Sequence, residues 1–342
     1  MRILLVTDAW APQVNGVVVT LRNTIEWLRR WGHEVVVLSP EGFRTMPMPT
    51  YPEIPLALFP RHQVARIIEE TRPDAIHIAT EGPLGISARS ICVKTGRAFT
   101  TAYHTSFPEY VHARFRIPPS WTYAWLRWFH APSSAILVAT PTIHNTLLER
   151  GFRNIQTWGR GVDTALFQPA AKRLANYPQP IFMFVGRVAV EKNLAEFLGL
   201  ALPGTKLVVG DGPQRAELEQ RYPDAVFVGA KFGIELASYY QQADVFVFPS
   251  RTDTFGLVLV EAMACGTPVA AYPVRGPIDV VTDPTAGVLD DNLGFAANKA
   301  LCLDREQVAK FGERFSWEFC SRQFLTSLVK AGPVPAGCAQ PV

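Results

Sequence analysis

The residues best suited to chemistry lie late in the chain, in Pro249-Ser-Arg-Thr-Asp253-Thr-Phe255-Gly256-Leu257-Val-Leu-Val-Glu261. Asp253 and Glu261 stand eight positions apart. The apolar run before them reads as a strand, so Asp253 falls in the loop after it and Glu261 about a turn into the next helix. Carboxylates accept hydrogen bonds from sugar hydroxyls, and one acid can take both hydroxyls of a ribose. Residues 254–257 can turn the free N–H groups of a helix start toward a phosphate. The helix Leu257–Ala264 is apolar around Glu261, so solvation alone explains that acid poorly. Further upstream, Phe184-Val-Gly186-Arg187-Val-Ala-Val-Glu-Lys192-Asn193 joins a glycine at a strand end to two cations five residues apart. Cations near a helix N-terminus oppose its dipole, which favours a bound anion there over a merely solvated turn. At an effective dielectric near 20, opposite unit charges about 4 Å apart attract by roughly 4 kcal/mol. Arg187 can grip a phosphate bidentately, whereas Lys192 acts as a point charge.

Two other segments are less specific. Gly210-Asp-Gly212-Pro213 is not a dinucleotide fingerprint, because the third glycine would fall at Arg215. A tight turn with Pro at the first helical position is the simpler account, which makes this segment scaffolding close to a nucleotide. Asp8-Ala-Trp-Ala-Pro-Gln-Val-Asn-Gly16 links the first strand to the first helix. Gly16 there either lets a phosphate or sugar approach helix N–H groups or is an ordinary turn glycine.

The elements that must position these residues alternate between period 2 and period 3.6. Apolar runs at Ile3–Thr7, Glu34–Leu38, Ala75–Ala79, Ala98–Tyr103 and Ala135–Ala139 read as buried strands. Helical patterns fall near Val17–Trp31, Gln63–Glu70, Leu84–Lys94 and Ile143–Arg150. A Pro-rich stretch with little periodicity follows, and the pattern restarts at Ile181–Val185. Strands at Lys206–Val209, Ala225–Val228, Val245–Phe248 and Pro268–Ala271 then alternate with helices near Asn193–Ala201, Gln214–Arg221, Ile234–Gln242 and Leu257–Ala264. Such alternation predicts two α/β domains with parallel sheets and helices on both faces. Ligands of these sheets bind at the carboxyl ends of the strands.

The 342 residues, 48% of them apolar, suffice for two buried cores. Formal charge is +3, with the excess of Lys and Arg in the first half, so that half is the better suited to an anionic surface. The five cysteines form no Cys-x-x-Cys pair, which reads as reduced thiols in a cytoplasmic protein. The apolar stretch at Ile3–Val6 is too short for a secretory h-region.

Taken together, Pro12-Gln-Val-Asn-Gly16, His104-Thr-Ser-Phe, Gly186-Arg187 with Lys192, Gly210-Asp-Gly-Pro213 and the Asp253…Glu261 segment resemble the family 4 (group 1) retaining glycosyltransferases of the GT-B fold. The similarity spans nearly the whole chain and is nearest to the branch holding sulfoquinovosyl- and glucuronosyl-diacylglycerol synthases and GDP-mannose-dependent α-mannosyltransferases. It implies two Rossmann-like domains facing across a cleft, with a C-terminal helix crossing back to the first. The corresponding boundaries are an acceptor-side domain at 1–168, a linker at 169–180, a nucleotide-sugar domain at 181–313, the returning helix at 314–331 and a flexible tail at 332–342. By the same resemblance Gly16, Gly186, Arg187 and Lys192 bind the donor diphosphate, and Phe255, Gly256 and Leu257 meet donor hydroxyls and phosphate through their backbone. Glu261 binds the ribose, and His104 stands beside the donor sugar. Asp253 takes the first acid position of the family's paired-acid pattern, where the family has Glu, one methylene longer. His104, Arg187, Lys192 and Asp253 are the implied catalytic residues. The implied donor is a UDP-sugar or GDP-mannose, with no metal and no other cofactor, and front-face attack retains the anomeric configuration.

The acceptor is expected to be a membrane glycolipid such as diacylglycerol, with no nucleic-acid partner. Trp121-Thr-Tyr-Ala-Trp125-Leu-Arg127-Trp128-Phe-His130 reads as a short aromatic helix near Arg114 and Arg116. Trp, Tyr and Arg together suit a lipid interface, which would place the chain peripherally on the cytoplasmic face of a membrane. Equally, Trp121, Trp125 and Trp128 share a helical face that could pack inside the first domain. Other readings are a polysaccharide or soluble acceptor, a sugar-nucleotide 2-epimerase, and a non-catalytic nucleotide-sugar-binding protein. An epimerase would need carboxylates and a histidine poised at the sugar's C2, and no such set is evident. Intact Arg187, Lys192 and Glu261 weigh against a dead site.

Overall fold

In the computed structural model, residues 1–11, 13, 15–48, 51–104, 116–171, 177–253, 255–329 and 331 are described, with the backbone alone at 48 and 51–54. The chain divides into two compact units, Met1–Gly159 with Glu318–Val342, and Arg160–Trp317.

The first unit begins with β1 (Arg2–Val6), α1 (Gly16–Arg30), β2 (Glu34–Leu38) and a two-stranded antiparallel ribbon, β3 (Thr45–Met48) with β4 (Tyr51–Ala57). It continues through α2 (Arg61–Thr71), β5 (Ala75–Ile78), α3 (Pro83–Thr95), β6 (Thr100–Tyr103), α4 (Pro119–His130), β7 (Ala135–Val138), α5 (Pro141–Glu149) and β8 (Ile155–Thr157). The main strands form a six-stranded sheet in the order β2-β1-β5-β6-β7-β8, and every pairing within it is parallel. Strand order reverses between β1 and β5, which makes the carboxyl ends of those two strands the switch point of this sheet.

The apolar run of β1 is explained by burial on both faces. Leu4 and Val6 pack with Val64 and Ile68 of α2 and Leu84 and Ala88 of α3. Ile3 and Leu5 pack with Leu21, Ile25 and Leu28 of α1. Those three α1 residues follow helical spacing, and the helix is started by Asn15, whose side chain accepts hydrogen bonds from the N–H groups of Val17 and Val18. Asp8 starts α3 in a similar way: its carboxylate takes the N–H of Leu84 at 2.9 Å and of Gly85 at 3.3 Å.

The second unit contains β9 (Ile181–Val185), α6 (Leu194–Leu198), β10 (Thr205–Val209), α7 (Arg215–Arg221), β11 (Val226–Phe227), α8 (Gly233–Gln242) and β12 (Val245–Phe248). After these come α9 (Leu257–Ala264), β13 (Val269–Ala271), α10 (Pro277–Val280), β14 (Gly287–Leu289), α11 (Leu293–Ala300) and α12 (Arg305–Gly312). Its six strands are ordered β11-β10-β9-β12-β13-β14, again with parallel pairings. The switch point falls between β9 and β12.

The last helix, α13 (Trp317–Ser327), returns to the first unit. Its Phe324 is fully buried among Ile3, Leu5, Leu21 and Trp158. The division between units comes earlier than the sequence indicates, because residues 160–168 pack on the second unit. Val162 N–H donates to the Phe315 carbonyl at 2.9 Å, and the Phe167 ring meets Tyr240 edge-on at 5.9 Å. The β3–β4 ribbon is also absent from the sequence reading, because its prolines resemble a loop. A two-stranded ribbon accommodates them wherever no ladder donor is needed.

Truncating Phe324 to Ala removes a fully buried ring, and the expected cost is about 3–5 kcal/mol of first-unit stability. Urea unfolding followed by tryptophan fluorescence reads this, since the Trp158 ring lies 4.9 Å from Phe324. A loss below about 1 kcal/mol contradicts the packing described.

Candidate active site

The cationic turn after β9 is braced by the turn after β10. Gly186 N–H donates to the Val209 carbonyl at 3.0 Å, Val188 N–H to Asp211 at 2.9 Å, and Gln214 N–H back to Val188 at 3.1 Å. Gly210 has φ of +149°, and a Cβ on it would lie 1.8 Å from the Gly186 carbonyl oxygen. Only glycine allows this approach. The Gly210-Asp-Gly212 turn is therefore the scaffold that fixes the Gly186–Arg187 backbone. Arg187 itself is exposed.

The next segment is tied to β12 across the switch point. Asn193, in the left-handed conformation at φ 54°, donates from Nδ2 to the Pro249 carbonyl at 3.3 Å. Ser250 Oγ donates to the Glu191 carbonyl at 3.3 Å. Between these ties Lys192 Nζ donates to Asp253 Oδ1 at 2.6 Å. The other Asp253 oxygen, Oδ2, is buried and takes no hydrogen bond among the described residues. A buried acceptor left open in this way has lone pairs available for a ligand donor. The shorter Asp thus reaches Lys192 directly and keeps one oxygen uncommitted.

Beyond Asp253, Phe255 is buried and meets Phe315 edge-on at 6.3 Å. Gly256 adopts φ of 82° as the residue before α9, a conformation that suits glycine. The N–H groups at Gly256 and Leu257 precede the first internal bond of the helix. Glu261 lies on α9 and accepts a hydrogen bond from the Tyr240 hydroxyl at 3.0 Å. Burial pushes the Glu261 carboxyl up from about 4.5 to about 7, against a smaller lowering by that hydroxyl. Burial, reinforced by Glu261, also raises the Tyr240 phenol.

Arg187 and Lys192 follow β9, and Asp253, Phe255, Gly256, Leu257 and Glu261 follow β12, so the second unit gathers these residues at one switch point. Gly16 and His104 belong to the first unit. Gly16 is exposed at the start of α1, where Asn15 already engages the next two N–H groups. His104 follows β6, with its ring 5.6 Å from that of Trp158. Sequence reasoning missed Tyr240, Asn193 and Ser250. Tyr240 comes from a different helix, and no local spacing links it to Glu261.

Two doubly wound parallel sheets, one in each unit, are the architecture of the GT-B fold. A sucrose-phosphate synthase from Thermosynechococcus elongatus has the same fold, with a TM-score of 0.75 at 22% identity over 95% of this chain and 97% of that one. Residues 14–166 match the family model "Glycosyltransferase Family 4", and residues 179–302 match "Glycosyl transferases group 1". The GDP-mannose-dependent alpha-mannosyltransferase of Mycobacterium tuberculosis is 33% identical over 317 residues, 84% of this chain and 83% of that protein. The sulfoquinovosyl transferase SQD2 of Arabidopsis thaliana is 31% identical over 311 residues, 80% of this chain and 60% of that protein. The chain belongs to the family 4 glycosyltransferases and is a hexosyltransferase.

The raised Glu261 carboxyl has a consequence for stability without ligand. The folded chain holds that proton up to about pH 7, whereas the unfolded chain releases it near 4.5. The stabilisation is fully present below the unfolded value, declines as pH rises, and is gone above about 7. Relative to Glu261→Gln, the wild-type melting temperature should therefore rise between pH 8 and pH 5. Parallel melting curves for the two proteins across that range would contradict the assignment.

Proposed function

We propose that the chain transfers a hexose, with retention, from a nucleotide-diphosphate sugar to a hydroxyl of a membrane lipid. The observation that carries this reading is the Lys192–Asp253 contact at 2.6 Å beside the braced Gly186–Arg187 turn. Arg187 and Lys192 offset charge on the departing diphosphate, so transfer needs no metal or other cofactor. Asp253 Oδ2 and the backbone at Phe255, Gly256 and Leu257 take the sugar hydroxyls and the phosphate. Glu261 takes the ribose, Gly16 approaches the diphosphate, and His104 stands beside the donor sugar. The acceptor oxygen attacks the anomeric carbon on the face the leaving group departs from. The bond from that carbon to the phosphate oxygen breaks, and the same phosphate oxygen receives the acceptor's proton. Fixed cations aimed at charge that develops during bond cleavage lower the barrier without reorganisation.

GDP-mannose is the first donor to test, because it is the donor in the name of the mycobacterial relative, and UDP-sugars come next. Melting-temperature shifts with each donor select the base and sugar. With the selected donor, Lys192→Ala should lower turnover by about 10²-fold with the fold intact. Near wild-type turnover contradicts the role.

The lipid acceptor is supported by helix α4. Its buried face is Thr122, Tyr123, Leu126, Phe129 and His130; Trp125 is partly buried and stacks on Phe129, as the core alternative has it, whereas Trp121 and Trp128 are exposed. Trp121 is 72% exposed and Trp128 49% exposed. The Arg89 guanidinium lies 3.9 Å from the Trp128 ring centre and donates to the carbonyls of Trp128 and Phe129, which fixes the end of the helix. Outward tryptophans with Arg116 and Arg127 fit the headgroup level of a bilayer. No helix among the described residues is long and apolar enough to cross one. The association proposed is a peripheral one at the cytoplasmic face, made by the exposed tryptophans and arginines of α4. Nearby Arg114 lies outside the described residues.

In flotation with liposomes containing anionic lipid, the wild-type protein should rise with the vesicles. Trp121→Ala with Arg127→Ala should weaken this severalfold. Absence of wild-type binding, or an unchanged double variant, rejects the surface.

A further inference from the structure

Beside the outermost strand of the first unit's sheet, a cavity of about 650 Å³ lies between α1 and β2. First-unit residues alone line it, and none of them is a donor or α4 residue named above. Ile25 of α1, Val37 of β2 and the Trp10 ring supply its apolar lining. Its charged lining is Arg22, Arg29 and Arg30 against a single acid, Glu26. Helical spacing brings these four to one side of α1.

Local structure accounts for part of this charge. Arg29 and Arg30 stand in the last turn of α1, where the dipole favours cations. Arg30 Nη2 donates to Glu26 Oε1 at 2.5 Å, which balances one charge of each sign. Arg29 Nη2 donates to the Val35 carbonyl at 3.0 Å, a bond that fixes the side chain and leaves its charge unpaired. Arg22 is exposed in the second turn, where the dipole gives a cation nothing. It pairs with no carboxylate among the described residues. Its guanidinium stands 5.8 Å from the Trp10 ring centre, at the outer limit of cation–π attraction. Two guanidinium groups without an acid therefore share one cavity with an indole ring and aliphatic side chains.

The cavity and α4 are on opposite faces of the sheet. Ile3 and Leu5 of β1 pack on α1, whereas Leu4 and Val6 share a cluster with Phe129 of α4. Successive residues of a strand point to opposite faces. One bilayer surface cannot meet both faces at once, which favours a soluble occupant.

We propose that this cavity binds a soluble sugar phosphate, with the phosphate on Arg22 and Arg29 and the sugar's carbon skeleton against Trp10, Ile25 and Val37. A guanidinium meets two phosphate oxygens with two parallel N–H groups. Cavities of this volume hold small molecules in the same way, with apolar walls around the body and a few charged groups that fix its orientation. The site is separate from the diphosphate-binding residues of the second unit, and it does not depend on which donor or acceptor the enzyme uses.

The test uses the full chain labelled with 5-fluorotryptophan, with GDP and UDP both saturating so that the second unit's diphosphate site is filled. Trp10→Phe identifies the Trp10 fluorine resonance. Inorganic phosphate, mannose 6-phosphate and glucose 6-phosphate are then titrated in turn. At least one sugar phosphate should shift that resonance saturably, with a Kd about tenfold or more below that of inorganic phosphate. Arg22→Gln with Arg29→Gln should weaken the binding by about tenfold or more. Arg22→Gln alone removes no hydrogen bond of the fold and should weaken it in the same direction. Absence of a saturable shift with both sugar phosphates overturns the proposal, as does a shift that survives these substitutions. Equal affinity for inorganic phosphate overturns it as well, because the aromatic wall then contributes nothing. Weaker liposome flotation of the double variant than of the wild type would assign the arginines to a lipid surface and overturn it too.

Discussion

The whole arrangement depends on holding positive charge at the carboxyl end of β9 without letting it collapse onto the helix start behind it. A lysine just ahead of the short helix α6 gains nothing from that helix start, and an anion beside it balances its charge. In the free protein Asp253 supplies part of that balance through Oδ1, at 2.6 Å from Lys192. The backbone around this pair is fixed on both sides. The Gly210 turn stacks on Gly186, and Asn193 and Ser250 bind the segment to the end of β12. Preorganised charge of this kind needs no rearrangement when negative charge builds on a ligand.

The two sheets are both six-stranded and parallel but differ in strand order, with one strand beyond β1 and two beyond β9, and their switch points carry different chemistry. In the second unit two cations, Asp253 with one open oxygen, Glu261 with its carboxyl raised by burial, and the start of α9 gather there. In the first unit Asp8 caps a helix and Glu81 lies 3.4 Å from the buried His130 imidazole. The family assignment rests on sequence similarity across both units, and the fold likeness to distant structures supports the architecture alone.

Most strands were legible because a parallel sheet buried on both faces imposes continuous apolar runs. Ile3–Val6 and Ile181–Val185 are fully buried or nearly so. The Thr45–Ala57 ribbon was hidden because its prolines mimic loop composition. The 160–168 segment carries no compositional break, so only its contacts with Phe315 and Tyr240 reveal which unit it joins. Cations and acids of the site stood out through charge that local structure did not explain. Tyr240 and the His130–Glu81 contact did not, because pairs from distant elements leave no spacing to read.

The central claim is that fixed positive side chains bind a diphosphate in the second unit. Calorimetric titration of GDP and UDP against guanosine and uridine tests it most directly. The account predicts that the diphosphate of the preferred base binds at least about 100-fold more tightly than its nucleoside, roughly 2.7 kcal/mol. It also predicts that Arg187→Ala removes most of that difference. Equal affinities for nucleotide and nucleoside, or a difference that survives the Arg187 substitution intact, would contradict it.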